Sequence, residues 1–332
     1  MAENGDRSAL DQVLEELHAA DKLIVVTHEN PDGDALGSLV AMQEILTAIG
    51  KDCLIFMAAR ELPLPQEYRF LTLSHQVSAP PADIDERTIV FLDCGNLERN
   101  PGEAFQRPGV RILNIDHHHD NTRFGTVNLV VPAASCTAEI VWELMHRLDV
   151  APTLTIAEAL YVGLITDTGR FMYENTGRRA HLMAAELIDA GVDVHEIYRR
   201  VYERVPYGKL ALLARGLANI ERYDDGRLTM TALSADDFSA SGAEESYSEG
   251  VIDHLRAVEG TAIAALVRAR GGNSQAGLRK VSLRASDERI DVSRIARAQG
   301  GGGHRQAAGF TTEMSQEQLV RFLREQLAAQ LD

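Results

Sequence analysis

His28, Asp32, Asp34, Asp93, Asp116, His117, His118 and Asp167 are the residues of this chain whose types and spacing could do chemistry together. Carboxylates and imidazoles without a thiolate make an oxygen-rich donor set, which suits Mn²⁺ or Mg²⁺ better than a structural zinc with its closed Cys/His cage. A pair of such cations lowers the pKa of a shared water toward neutrality and offsets the charge that builds on a phosphoryl group. The chemistry in prospect is hydrolysis of a phosphate ester. Arg170, just beyond Asp167, would add a guanidinium to counter the phosphate. Each group also has a plainer reading. Asn30-Pro31-Asp32-Gly33-Asp34 has the composition of a solvated turn with a helix cap, Asp93 could cap a turn, and His117-His118-His119 could be a solvated histidine run.

The elements that must position these side chains are legible on either side of them. The apolar run 23–26 reads as a buried parallel strand leading to His28, and residues 35–49 have the apolar spacing of a helix. His28 to Asp34 thus fills a strand-to-helix turn, where Asn30, Pro31 and Gly33 let the backbone fold tightly enough for the polar side chains to converge. Residues 88–92 read as a second strand running into Asp93, and residues 111–115 as a third running into Asp116. In an open parallel sheet ligands bind outside the carboxyl ends of the strands, so three such ends face one crevice. Asp167 follows an apolar helix expected over about residues 156–165.

Alternation of strands and helices to about residue 185 supports an α/β class with an N-terminal parallel sheet covered by helices. Residues 227–233, 261–268 and 277–284 read as strands of a smaller C-terminal α/β domain with a mixed sheet. A helix over about 315–331, behind a Ser-Gln-Glu-Gln cap, closes it. A chain of 332 residues exceeds the ceiling for one hydrophobic core, and 45% apolar content is enough for two. The expected division is residues 1–190, a helical linker over 191–222 bent at Pro206 and Gly208, and residues 223–332. Catalysis is expected in a cleft between the two domains. Trp142, on an apolar helical face, is expected in the core. Near the far end, Gly300-Gly301-Gly302-Gly303-His304-Arg305 joins glycines, which let main-chain N–H groups approach an anion, to a basic pair. That is the pattern of an anion cradle.

Together these segments resemble the DHH phosphoesterases, in the branch with a DHH-associated C-terminal domain. The resemblance is carried by His28-Glu29-Asn30-Pro31-Asp32-Gly33-Asp34, then Asp93, Asp116-His117-His118, Thr166-Asp167-Thr168-Gly169-Arg170-Phe171, Ser282-Leu283-Arg284-Ala285-Ser286 and the glycine run ending in His304. It implies that His28, Asp32 and Asp93 hold one divalent cation while Asp34, Asp93, His117 and Asp167 hold a second, with Asp93 bridging. It places His118 beside the reacting phosphate, Asp116 behind the imidazoles, and Arg170, Arg284, Ser286, Gly303 and His304 on the substrate. The implied activity is hydrolysis of short oligoribonucleotides or adenosine 3′,5′-bisphosphate, with Mn²⁺ as the first choice of ion and Mg²⁺ or Co²⁺ as alternatives, in a homodimer. A cyclic dinucleotide or linear dinucleotide phosphodiesterase is the nearest alternative. A manganese pyrophosphatase, a RecJ-like exonuclease and a nucleotide-binding regulator without chemistry stand further off. The sequence departs from the family pattern at Glu174, where a serine is expected.

Composition narrows the partners. A net charge of −16 argues against a surface that binds long nucleic acid through many phosphate contacts, so a short substrate is expected. From Arg268 to Arg305, however, nine Lys and Arg face three acids, a local surplus of six around Arg284 and the glycine run. No apolar stretch is long enough for a membrane span and the first residues lack a signal-peptide pattern, so a cytoplasmic protein is expected. Cys53, Cys94 and Cys136 are too few and too scattered for a disulfide framework or a zinc site.

Overall fold

The computed structural model describes residues 3–331 apart from 101, 103, 104, 106–108, 270–276 and 304. The chain divides into two compact units, Met1–Arg204 and Val205–Asp332.

The first unit is built on a parallel sheet of β1 (Lys22–Val26), β2 (Asp52–Phe56), β3 (Gln76–Val77), β4 (Thr88–Leu92), β5 (Ile112–Asp116) and β6 (Val127–Val130), in the order β3-β2-β1-β4-β5-β6. The chain winds outward in opposite directions from β1 and β4, which makes the gap between them the switch point at which sheets of this kind bind ligands. Its helices are α1 (Glu3–Ala19), α2 (Gly33–Ala48), α3 (Thr137–Arg147), α4 (Leu154–Asp167), α5 (Arg178–Asp189) and α6 (Val194–Tyr198). Alternating strand residues serve two cores. Leu23 and Val25 join α2 to α5 in the larger one, while Ile24 and Val26 face Phe56, Phe91 and Phe105.

Helices α2 and α4 are apolar nearly all round and correspondingly buried. They approach so closely that a Cβ on Gly37 would stand 2.3 Å from the Ala159 carbonyl oxygen. Only glycine fits there. This contact brings Asp34, in the first turn of α2, toward Asp167, the last residue of α4.

The expected strand–helix alternation differs from what is found. Among the described residues, β2 to β6 follow one another without an α-helix, and α3 to α5 then come in succession. The second face of the sheet is closed by short 3₁₀ turns and an aromatic cluster, with edge-to-face contacts of 4.7 Å for Phe56–Phe105 and 5.0 Å for Phe91–Phe124, so it does not need crossover helices. Trp142 is half-buried rather than central, because its indole N–H reaches out to Glu186 at 3.2 Å.

The second unit holds a mixed sheet of β7 (Glu221–Tyr223), β8 (Leu228–Leu233), β9 (Ile263–Ala269), β10 (Arg279–Ala285), β11 (Gly302–Gly303) and β12 (Ala307–Thr312), in the order β11-β12-β10-β9-β8-β7. Only β8 and β9 run parallel. The helices are α7 (Tyr207–Ala218), α8 (Ala235–Ser241), α9 (Val251–Arg256), α10 (Val292–Arg297) and α11 (Gln316–Leu331). Leu319, Leu323 and Leu327 of α11 pack on Val281, Leu283 and Phe310, and Val251 and Leu255 of α9 pack on Ala264 and Leu266. The capping pattern before α11 forms as read: Gln318 N–H donates to Ser315 Oγ at 3.3 Å and Ser315 N–H to Gln318 Oε1 at 2.9 Å. Gly208 does not bend a linker. It lies in the first turn of α7, where a Cβ would meet the Ser241 carbonyl oxygen at 2.8 Å. None of the described helices is long and apolar enough to cross a membrane.

Candidate metal centre

The carboxyl ends of β1, β4 and β5 lie side by side, and the turns that leave them deliver the candidate ligands. His28 follows β1. The Glu29 carbonyl can only accept, so the 2.8 Å contact from His28 Nδ1 places the ring proton there and presents Nε2 to Asp93 Oδ2 at 3.6 Å. Asp32 caps α2, accepting from Asp34 N–H at 3.0 Å and Ala35 N–H at 3.1 Å. The helix-cap reading of this turn and the ligand reading therefore describe the same residue. Asp34 is buried, and its two oxygens accept from Thr137 N–H at 2.7 Å and Ala138 N–H at 2.9 Å, the first amides of α3.

Asp93 follows β4 with a left-handed backbone, φ +56°. Its Oδ1 faces His117 Nε2 at 3.7 Å and its Oδ2 faces His28. Asp116 ends β5 completely buried. One of its oxygens accepts from His117 N–H and from His118 Nδ1, both at 2.8 Å, and the other from the Asn121 amide. Asp167 Oδ2 lies 3.6 Å from His117 Nε2. Three sets, His28/Asp32/Asp93, Asp34/His117/Asp167 and Asp93/His117/His118, each bring one donor atom per residue within 4.8 Å of the others. His119 is exposed and lies outside them.

The electrostatics fit a cationic occupant. Burial, with Asp93, Asp167 and Asp32 close by, pushes the Asp34 carboxyl well above the usual carboxylate range. Burial and Asp93 also raise Asp167, to about 6, against the pull of His117. Burial would raise Asp93 too, but His28, His118 and His117 outweigh it and hold it below the usual range. Burial works against charging His118, yet its hydrogen bond to Asp116 carries it up to about 9. Among the described residues no lysine or arginine pairs with Asp32, Asp34, Asp93 or Asp167. Crowded carboxylates, with Asp34 and Asp93 buried, beside imidazoles and without a basic partner are the donor chemistry of divalent cations.

Residues 22–164 match the model of the DHH family N-terminal domain, and residues 231–330 match the DHHA1 domain. A Thermus thermophilus protein, "Bifunctional oligoribonuclease and PAP phosphatase NrnA", is 33% identical over 314 residues, covering 92% of this chain and 90% of its own. The chain belongs to the DHH family. A Streptococcus mutans relative, "Probable bifunctional oligoribonuclease and PAP phosphatase NrnA", is 26% identical over 91% of this chain and 93% of its own. The fold is shared with an exopolyphosphatase-related protein from Bacteroides fragilis, at a TM-score of 0.85 and 24% identity, covering 97% of this chain and 96% of that one.

In the first unit, Arg170 is exposed and stacks over the Tyr202 ring at 5.1 Å from its centroid. It stands in a run of left-handed residues, Gly169, Arg170 and Phe171 at φ +55°, +63° and +64°, braced by Thr168 Oγ1 accepting from Phe171 N–H at 3.1 Å. In the DHHA1 domain, burial pulls the Arg284 guanidinium below its usual pKa, and among the described residues no carboxylate lies within 4.0 Å of it. Ser286 Oγ donates to the Arg256 carbonyl at 3.1 Å. Gly303 sits in β11 at φ +134°, where a Cβ would meet the Ala307 carbonyl oxygen at 2.5 Å, and Gly301 is as tightly placed against Gly309. Close approach to β12 thus accounts for these two glycines. His304 lies outside the described residues.

The sequence reading missed Thr137, Asn121 and Asn175. Asn175 Nδ2 donates to Ser135 O at 2.8 Å, Asp167 O at 3.1 Å and Asp167 Oδ2 at 3.3 Å. Hydroxyls and amides are common, and nothing in their local spacing marks these three. The one signal was the neighbourhood of Asp167, in which Asn175 falls.

Proposed function

We propose that this chain is a metal-dependent phosphoesterase that hydrolyses short oligoribonucleotides and adenosine 3′,5′-bisphosphate, with Mn²⁺ as its ion. The observation that carries the proposal is the Asp93 carboxylate, whose two oxygens address two different ligand sets. His28, Asp32 and Asp93 would hold one cation, and Asp34, Asp93, His117 and Asp167 the other. When bound, the pair supplies a water of lowered pKa and offsets charge on the phosphoryl oxygens. The names of the Thermus thermophilus and Streptococcus mutans relatives support the substrate class.

The protein's own groups complete the reaction. His118, with Nδ1 held by Asp116, has Nε2 to give a proton to the departing ribose oxygen. Arg170, Arg284, Ser286 and the Gly303 loop contact the substrate, the two guanidiniums by charge-assisted hydrogen bonds to phosphate. The test is hydrolysis with Mn²⁺ of a diribonucleotide, a long oligoribonucleotide, adenosine 3′,5′-bisphosphate, cyclic di-AMP and pyrophosphate, with Asp93→Ala in parallel. The diribonucleotide and the bisphosphate should be cleaved, and the variant should lose more than the ~10–100-fold typical of changes behind the ligands. Cleavage of pyrophosphate alone, or activity surviving in Asp93→Ala, overturns the proposal.

A further inference from the structure

Thr137 is not a candidate ligand, yet it touches both ligand sets. It is the first residue of α3 and is fully buried. Its N–H donates to Asp34 Oδ2 at 2.7 Å and its hydroxyl to Asp93 Oδ1 at 3.0 Å. The imidazole nitrogens around Asp93 stand at 3.6 to 3.7 Å, beyond hydrogen-bond distance. Among the described residues, the Thr137 hydroxyl donates the one hydrogen bond within 3.5 Å that reaches the Asp93 side chain.

We propose that Thr137 is a positioning residue that sets the rotation of the Asp93 carboxylate, holding Oδ1 toward the His117 set and leaving Oδ2 to the His28 set. The inference rests on the two-cation reading above. A hydroxyl has a single proton to donate, so it selects one oxygen and leaves the other to its neighbours. The selection is needed because Asp93 leaves β4 through a left-handed residue, outside the regular pleat that would otherwise direct its side chain.

The turn that carries Thr137 is itself anchored. Ser135 N–H and Oγ donate to the buried Glu139 Oε2 at 3.0 and 2.7 Å, and Arg179 Nε donates to Glu139 Oε1 at 2.9 Å. The Ser135 carbonyl accepts from Asn175, which also reaches Asp167. One short segment therefore registers three carboxylates: Asp34 through two amides, Asp93 through a hydroxyl and Asp167 through an amide side chain.

The test compares Thr137→Val, which keeps the branch and the N–H but lacks the donor, with Thr137→Ser, which restores the donor. Mn²⁺ is titrated into the metal-free proteins by calorimetry, and the loaded proteins are examined by electron paramagnetic resonance. Wild type should bind two ions with an exchange-coupled spectrum. Thr137→Val should bind at least one of them ~10–100-fold more weakly, with the coupling altered, and Thr137→Ser should recover both readouts. If Thr137→Val does not fold, Thr137→Ala carries the same comparison. Wild-type affinity and coupling in a folded variant without the hydroxyl overturn the positioning role. An uncoupled or single ion in the wild type overturns the two-cation reading instead.

Discussion

Gly163 of α4 lies against the Asp34 carboxylate: a Cβ there would stand 2.9 Å from Asp34 Oδ1 and 2.7 Å from the Ala138 side chain. The packing of α2 on α4 thus sets the position of a candidate ligand. Gly163→Ala must displace Asp34, or α3 from which Asp34 accepts its two amide hydrogen bonds. Overpacking of this kind costs ~1–3 kcal/mol. The variant should melt lower than wild type, and Mn²⁺ should raise its unfolding midpoint by less than it raises that of wild type. Equal shifts in differential scanning calorimetry would show that the helix contact does not register the centre.

Asp116 should matter to both folding and turnover. Asp116→Ala removes the acceptor of His117 N–H and of His118 Nδ1, while the Asn121 amide keeps the Cys94 carbonyl at 3.2 Å. A donor stranded in this way costs up to ~1–3 kcal/mol, and loss of an orienting carboxylate typically lowers activity by ~10–100-fold. Asp116→Asn, which keeps one carbonyl acceptor, should lie between Ala and wild type in urea unfolding. An Ala variant with unchanged stability and turnover contradicts this role.

At Arg284, function and stability should separate. The half-buried guanidinium donates to the Leu283 carbonyl at 3.1 Å, has no carboxylate within 4.0 Å among the described residues, and has its pKa pulled down by burial, so its charge adds little to folding. Arg284→Met should therefore leave the unfolding midpoint unchanged or raise it. The same change should raise KM by roughly 10–100-fold, the size of one charge-assisted hydrogen bond of ~1.5–3 kcal/mol. A destabilised variant with normal KM would assign Arg284 to the scaffold.

The acid limb of stability should report on a cluster apart from the candidate ligands. Arg87 is buried and donates to both Asp83 oxygens at 3.0 Å, to Asp52 Oδ2 at 2.8 Å and to the Leu23 carbonyl at 3.1 Å. Arg87 first, and Lys22 after it, bring the Asp83 carboxyl from 3.8 down to about 2. A carboxyl whose folded pKa lies below its unfolded value adds stability above that unfolded value and loses it as the pH falls through the folded one. Wild type should lose this contribution between about pH 4 and 2. Arg87→Met should be less stable at neutral pH and show a shallower loss on that limb. Parallel acid limbs in urea titrations would exclude Arg87 as the cause.

The candidate ligands were legible because carboxylates and histidines at the ends of apolar runs are hard to explain as ordinary surface. Val26 to His28, Leu92 to Asp93 and Ile115 to Asp116 each show the same change from apolar strand to donor, and β-strand geometry alone places such residues at one edge of a parallel sheet. Strand β12 was not legible: Ala307-Ala308-Gly309-Phe310 carries small residues demanded by tight neighbours rather than the branched residues that mark a strand. The lack of crossover helices between β2 and β6 was equally hidden, because aromatic packing on the second face depends on partners distant in sequence.

The sequence by itself determined the candidate donors, the strands that carry most of them and the family, since these depend on residue type and local spacing. Only the tertiary structure decided that Thr137, 44 positions from Asp93, holds its carboxylate, that Asn175 reaches Asp167, and that Gly163 leaves room for Asp34. The reason is range. Apolar periodicity acts over a few residues along the chain, whereas a hydrogen bond or a steric contact acts over about 3 Å in space and is indifferent to how much chain separates its partners.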